Sequence, residues 1–353
     1  MNEPSPHTTK PLAPRRLLVT GGAGFIGSHL VERLVARGDD VTIVDDLSTG
    51  RESNIAAVID RVRFLKRGLA EAMPALGDEH FDGIYHLAAA VGVKLVLEKP
   101  IESIETNVDL TAALLRFAAK RGPDGSPCPT LIASSSEVYG KPDHEVFSED
   151  DDAVYGPTTI TRWSYALSKA LDEHLALAHH AAGTVPVVVV RFFNTVGPRQ
   201  IGRYGMVLPR FVAAALAGDD LEVYGDGSQS RCFCDVRDSA SALPKLLDDP
   251  GCHGRVFNLG SDSPIRIGDL ARDVVRLTES TSSIRHVPYD DAYPAGFEDL
   301  KHRRPGLTRV RDAIGFEAST PLDQTILDLA DEIRGGSVDS IATRPAAQTG
   351  EQP

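Results

Sequence analysis

The chain has 353 residues, 42% of them hydrophobic and 25% charged, which is enough for one large or two fused globular units around a sizeable core. A formal net charge of -13 argues against the basic face needed to coat DNA or an anionic membrane, but it permits a small anionic ligand held by a few arginines. The four cysteines, Cys128, Cys232, Cys234 and Cys252, form no CxxC pair, so neither a metal site nor a disulfide framework is expected, and a reducing cytoplasm suits them.

Residues 1–13 are polar and Pro-rich and read as a loose tail without the apolar core of a signal peptide. Arg16 to Thr20 then forms a short apolar run suited to a buried parallel strand. Gly21-Gly22-Ala23-Gly24-Phe25-Ile26-Gly27 follows at once, then a helical pattern from Ser28 to Arg37 closed by Gly38, then a second strand from Val41 to Val44 ending at Asp45.

That order predicts a dinucleotide site. Gly21 permits the tight turn, Gly24 lets the backbone approach a pyrophosphate, and Gly27 lets the helix lie close to the sheet. The first helical turn, at Phe25 and Ile26, offers N–H groups to the phosphates. Asp45 accepts from the ribose hydroxyls and, with Asp46, repels a 2′-phosphate, so NAD is expected over NADP. The fourth strand ends in Tyr85-His86-Leu87-Ala88-Ala89, where Leu87, Ala88 and Ala89 would line the cofactor.

A fifth strand from Thr130 to Ala133 runs into Ser134-Ser135-Ser136-Glu137-Val138-Tyr139-Gly140. Arg162-Trp163-Ser164-Tyr165-Ala166-Leu167-Ser168-Lys169 opens a helical pattern that puts Tyr165 and Lys169 on one face. A phenol with a pKa near 10 is a weak base, and a nearby ammonium is expected to lower that value. Tyr165 would then take the proton of a sugar hydroxyl while Lys169 positions the nicotinamide ribose.

The motif TGGAGFIG, the Ala-rich end of the fourth strand and the Tyr-x-x-x-Lys pair together resemble the extended short-chain dehydrogenase/reductases, the NAD-dependent epimerase/dehydratase family. One departure is Gly68, which stands where relatives carry an Asp toward the adenine. The resemblance extends through Arg191 to Arg199, Leu221 to Arg231 and Phe257 to Gly260, covering most of the chain. It implies an α/β fold: a doubly wound parallel Rossmann sheet over 14–193 and 234–262, with a smaller C-terminal α/β substrate domain over 194–233 and 263–334. Residues 335–353 read as a second tail. A UDP-sugar is the implied substrate, its diphosphate held by Asn194, Arg231 and Arg303 or Arg304, its base near Val207, Arg210, Val223 and Tyr224. Helical stretches Ser103–Arg121 and Ser164–His180 match the family's dimer interface, so a homodimer is expected. Neither nucleic acid nor membrane is an expected partner.

Within that family, Ser135-Ser136-Glu137 before Val-Tyr-Gly, Arg162 three residues before Tyr165, and Gly296 to Pro305 resemble UDP-glucuronic acid decarboxylases. Oxidation at C4 of glucuronic acid makes a ketone β to the C5 carboxylate, and such an acid loses CO2 readily. Ser135 and Ser136 would hydrogen-bond the C4 oxygen, Glu137 would manage the proton at C5 with a water or Arg303, and Arg303 would face the carboxylate. The product would be UDP-xylose or the 4-keto pentose. The loop Ala90 to Val96 suits a UDP-sugar 4-epimerase equally well, and that alternative stays open. A 4,6-dehydratase is disfavoured because Ser136 stands where its acid would be, and a non-catalytic NAD sensor because Tyr165 and Lys169 are both present.

Overall fold

The computed structural model describes residues 14–89, 99–202, 206–288, 291 and 303–336. Two segments singled out above, 90–96 and 296–302, lie outside the described residues, as do 1–13 and 337–353.

Seven strands form one parallel sheet: β1 (Arg16–Thr20), β2 (Asp40–Asp45), β3 (Val62–Lys66), β4 (Gly83–His86), β5 (Thr130–Ser135), β6 (Val187–Phe192) and β7 (Arg255–Leu259). Their order across the sheet is β7-β6-β5-β4-β1-β2-β3, and every pairing is parallel. The order reverses between β1 and β4, and in such sheets the ligand crevice opens at the carboxyl ends of the strands at that reversal.

Helices cover both faces. On one, α1 (Phe25–Arg37) packs with residues that a later helix, Val236–Asp248, brings against the sheet, so that Leu30, Leu34, Leu243 and Leu246 enclose Leu17 and Val19. On the other, α2 (Leu69–Leu76), α3 (Pro100–Ala118) and α4 (Arg162–Ala181) bury Leu114, Leu115 and Ala176 against Leu18, Ile132 and Val189. Buried on both faces, β1 and β6 are runs of apolar residues without alternation.

A separate core gathers Leu208, Phe211, Val212, Leu221, Val223, Leu270, Val274, Ile326 and Leu329. Its helices are α5 (Val207–Ala217), α7 (Ile267–Leu277) and α9 (Leu322–Arg334), with α6 (Val236–Asp248) and α8 (Thr308–Ile314) returning to the sheet. All four cysteines are buried as free thiols.

Candidate active site

The loop between β1 and α1 and the residues after β4 meet at the sheet's reversal. Gly21 adopts a left-handed conformation at φ 71°, and a side chain there would come within 2.7 Å of the Ala88 backbone nitrogen. A side chain at Gly27 would run into the Gly21 carbonyl oxygen. Gly24 caps α1 without any side-chain hydrogen bond, so the N–H groups of Phe25, Ile26 and Gly27 have no capping side chain. Leu87 donates its N–H to the Thr20 carbonyl at 3.1 Å, and Ala88 donates to the Thr20 hydroxyl at 3.3 Å. These contacts hold Leu87, Ala88 and Ala89 opposite the glycine loop.

Asp45 ends β2, buried, and its carboxylate accepts from the Ala23 N–H and the Leu47 N–H, each at 2.9 Å. Each oxygen keeps a further lone pair for a ribose hydroxyl. Burial, with Asp46 adding to it, pushes the Asp45 carboxyl up from its ordinary value against the pull of the backbone donors. A backbone cradle that any side chain would fill, an uncapped helix N-terminus and an acid at the end of β2 fit NAD. Gly68, where the resemblance expects an adenine-facing Asp, serves as the N-cap of α2.

At the end of β5, Ser135 accepts from the Glu137 N–H at 3.2 Å and starts a 3-10 turn over Ser136–Tyr139. Helix α4 packs on β5 and on this turn, bringing Tyr165 to Ser135. The two share one face of α4, one turn apart. Burial pushes the Tyr165 phenol above its ordinary value, the negative charge of Glu137 adds to this, and a hydrogen bond with Ser135 opposes it. The lowering expected from Lys169 is therefore absent in the protein alone. Lys169 Nζ donates instead to Asp172 Oδ2 at 2.8 Å, and that pair is buried.

Of the two serines, only Ser135 faces Tyr165. Ser136 is buried with its hydroxyl toward Arg303 Nη1, at 3.5 Å. Glu137 lies between two guanidinium groups: Arg303 Nη2 donates to Oε1 at 2.6 Å and Arg162 Nη2 to Oε2 at 3.4 Å. Burial alone would raise the Glu137 carboxyl. Arg303 first, then Arg162 and more weakly Arg231, outweigh burial and hold it below its ordinary value. Glu137 is therefore an ionised acceptor beside the phenol.

The remaining residues divide. Asn194 has a positive φ of 29° and donates Nδ2 to the Cys232 carbonyl at 3.2 Å. Arg210 donates to the Tyr224 hydroxyl and, at 2.9 Å, to the Glu222 carbonyl, its guanidinium 4.2 Å from the Tyr224 ring centre. Val207 opens the same helix, α5. Val223 alternates inward on its strand and belongs to the second unit's core, which leaves only its backbone for a ligand. Arg231 donates to the Ser230 carbonyl at 2.8 Å, and Arg304 is exposed, in a two-residue strand paired with Val146–Phe147. The sequence pattern drew no attention to Asp172, His86 or Thr111, which join Lys169 in a buried polar cluster; the i,i+3 spacing of Lys169 and Asp172 was the available signal.

The reversed sheet, the glycine cradle, Asp45 and the Tyr165–Lys169 pair define an NAD-dependent Rossmann enzyme. The model of the NAD dependent epimerase/dehydratase family matches residues 17–260, and the chain belongs to that family. It is 44% identical over 313 residues to UDP-N-acetyl-alpha-D-glucosaminuronate decarboxylase of Bacillus cytotoxicus, covering 88% of this chain and 95% of that one. It is 35% identical to UDP-glucuronic acid decarboxylase 4 of Arabidopsis thaliana, covering 88% of this chain and 66% of that one. Among solved structures, UDP-N-acetylglucosamine 4-epimerase of Methanobrevibacter ruminantium in complex with UDP-N-acetylmuramic acid superposes with a TM-score of 0.81 at 26% identity, over 92% of this chain and 100% of that one.

Proposed function

We propose that the protein decarboxylates a UDP-hexuronic acid after oxidising it at C4. The observation that carries this is the triad of Glu137, Arg162 and Arg303 beside Tyr165: two guanidinium groups converge on one carboxylate next to the phenol, and such forks also suit a substrate carboxylate. Bound NAD supplies the hydride acceptor at C4. Tyr165 takes the C4 hydroxyl proton, and Ser135 donates to the C4 oxygen as the ketone forms. The ketone is then β to the C5 carboxylate, whose C–C bond breaks to CO2 and an enolate. Glu137, held ionised, orients a water that delivers the proton to C5 and does not supply one itself. With the hydride returned to C4 and the proton returned by Tyr165, UDP-glucuronate and one proton would give UDP-xylose and CO2; where the ketone leaves first, the 4-keto pentose and CO2 form and one NAD is left reduced.

A second reading concerns C2 of the sugar. The 44% relative bears a name with an N-acetylated hexuronate, so a 2-acetamido sugar competes with glucuronate for this site. Incubation with UDP-glucuronate, UDP-N-acetylglucosaminuronate and UDP-glucose, with products identified by mass and CO2 measured, separates the two. Uronate epimers without CO2 would make the enzyme a 4-epimerase and sink the decarboxylase reading.

The same proposal places the nucleotide sugar between the sheet unit, 14–193 with 234–262, and the unit of 194–233 with 263–334. Asn194, Arg231 and Arg304 would hold the diphosphate, and Val207, Arg210 and Tyr224 the base. It also makes the active form a cytoplasmic homodimer. Exposed Ile101 and Ile104 on α3 lie at helical spacing, as do Leu167 and Leu171 on the adjacent α4, and a second copy of this pair of helices would cover them.

A further inference from the structure

Asp172 lies one turn beyond Lys169 on α4, its side chain fully buried, and Lys169 is 3% exposed. An ammonium taken out of water needs a counter-charge, and a single donor–acceptor contact of 2.8 Å supplies it. An ammonium has three donors. One goes to Asp172, which fixes the rotamer of Lys169 and leaves two for other acceptors.

The surroundings of this pair are polar but carry little mobile charge. Burial pushes the Asp172 carboxyl above its ordinary value, opposed first by Lys169 and then by a hydrogen bond from Thr111, on α3. The Thr111 hydroxyl is also 3.4 Å from His86 Nε2 on β4, and His86 Nδ1 is 2.7 Å from the Thr20 hydroxyl at the end of β1. His86 is kept neutral: burial first, then the charge of Lys169, pull it down to about 3. Asn107 on α3 donates to the Ser168 hydroxyl at 3.2 Å. Glu173, the next residue on α4, turns away to Arg191 and Ser134. Glu137 is tied to Arg303 and held below its ordinary value, and the Tyr165 phenol is pushed above its own.

We propose that Asp172 is a positioning residue for the cofactor: it holds the Lys169 ammonium charged and aimed, with two donors turned to the hydroxyls of the nicotinamide ribose. The inference rests on NAD as cofactor and on the Tyr165–Lys169 pair, not on decarboxylation. A buried lysine without a counter-charge falls below its ordinary value of ~10.4, to ~5–6 at the extreme of a wholly apolar site; among the polar groups around Lys169 the fall is smaller and ends between pH 6.5 and pH 9.5. Removing the charge of Asp172 therefore makes the Lys169 contact to the ribose pH-dependent.

The test is NAD affinity by calorimetry at pH 6.5 and pH 9.5, without any sugar, so that the identity of the substrate does not enter. None of the facing groups is placed to change charge in that range: His86 stays neutral, Glu137 ionised and Tyr165 protonated. The wild type is expected to bind NAD equally at both pH values. Asp172→Asn should bind about tenfold more weakly at pH 9.5 than at pH 6.5, the size of one lost hydrogen bond to a charged group. Asp172→Glu keeps the charge and should give a pH-independent Kd, which keeps the proposal testable if the Asn variant does not fold. A loss in Asp172→Asn that is the same at both pH values would reduce Asp172 to a structural residue. Unchanged affinity in that variant, or a pH-dependent Kd in Asp172→Glu, would also overturn the proposal.

Discussion

Arg303 and Glu137 are 166 residues apart in the chain and meet at 2.6 Å. Arg303 immediately precedes the strand Arg304–Pro305, which pairs in parallel with Val146–Phe147, a few residues beyond the turn that carries Glu137. One backbone pairing thus closes the ion pair.

Arg303→Ala should therefore lower CO2 release by ~10²–10³-fold, the usual cost of one charged contact at a reacting centre. Arg303→Lys should recover only part, because a point charge lacks the guanidinium fork that serves Glu137 and Ser136 together. The pair also contributes stability. Its folded carboxyl value is depressed, so the contribution is fully present above the ordinary value of 4.5 and is lost as the pH falls below it. Acid unfolding of Arg303→Ala should be less steep in that window, as followed by circular dichroism.

Asp45 has two duties. Its carboxylate holds the Ala23 N–H of the glycine loop and, in the proposed cofactor site, would accept from the adenosine ribose. Asp45→Ala should weaken NAD binding by about tenfold or more and bring NADP to within a few-fold of NAD. A variant that still prefers NAD as strongly as the wild type would move the selectivity to Asp46 or to another residue.

Gly27→Ala adds one methyl group where the Gly21 carbonyl oxygen already sits. The helix must shift off the sheet by a fraction of an ångström, an overpacking cost of about 1–3 kcal/mol. Thermal unfolding should show a lower Tm, and NAD should rescue it less than it does the wild type, because the displaced first turn is the phosphate site.

Leu171 is 50% exposed on α4, and Ile101 is 71% exposed on the adjacent α3. Leu171→Glu puts a charge among the exposed apolar residues of this helix pair. If the patch is the dimer interface, the variant should elute as a monomer in size-exclusion chromatography with light scattering while keeping its fold. A wild type that is itself monomeric would refute the homodimer.

The local parts of this site were legible in the sequence and the long-range parts were not. The glycine loop, Asp45 and the Tyr165–Lys169 face follow from spacing along one strand or one helix, and the structure places them in those elements. Helix starts were less legible: α1 begins at Phe25, not Ser28, because Gly24 is its cap, and α3 begins at Pro100, not Ser103, with proline in the first turn. The strand period qualifies Val223: its place near the base stays a proposal that its backbone, not its side chain, would serve. In Leu221–Tyr224 the inward residues are Leu221 and Val223, and the outward ones Glu222 and Tyr224. The pairing of Lys169 with Asp172 in preference to Tyr165 depends on burial created by α3 and β4, which no window along α4 contains.

The last prediction separates the two halves of the reaction. Tyr165 touches Ser135 and lies one turn from Lys169, and the proposal gives it the proton that leaves the C4 hydroxyl as the hydride moves. Glu137 lies against Arg303 and Arg162, where a substrate carboxylate would sit; held below its ordinary value by them it is a weak base, and the proposal gives it no part in taking the C4 proton. Tyr165→Phe should keep NAD and bind the sugar nucleotide, yet form no NADH and release no CO2. Glu137→Gln keeps the shape but removes the charge. The two arginines then lose one counter-charge, the substrate carboxylate is bound more tightly in the ground state, and the water for C5 loses its anionic acceptor. This variant should still form NADH in a single turnover with UDP-glucuronate or its 2-acetamido analogue, while steady-state CO2 release falls by ~10²-fold or more. Stopped-flow absorbance at the NADH band and a coupled CO2 assay on the same preparations decide it. Loss of both signals in Glu137→Gln would place Glu137 in the hydride step, and loss of neither would remove it from the chemistry.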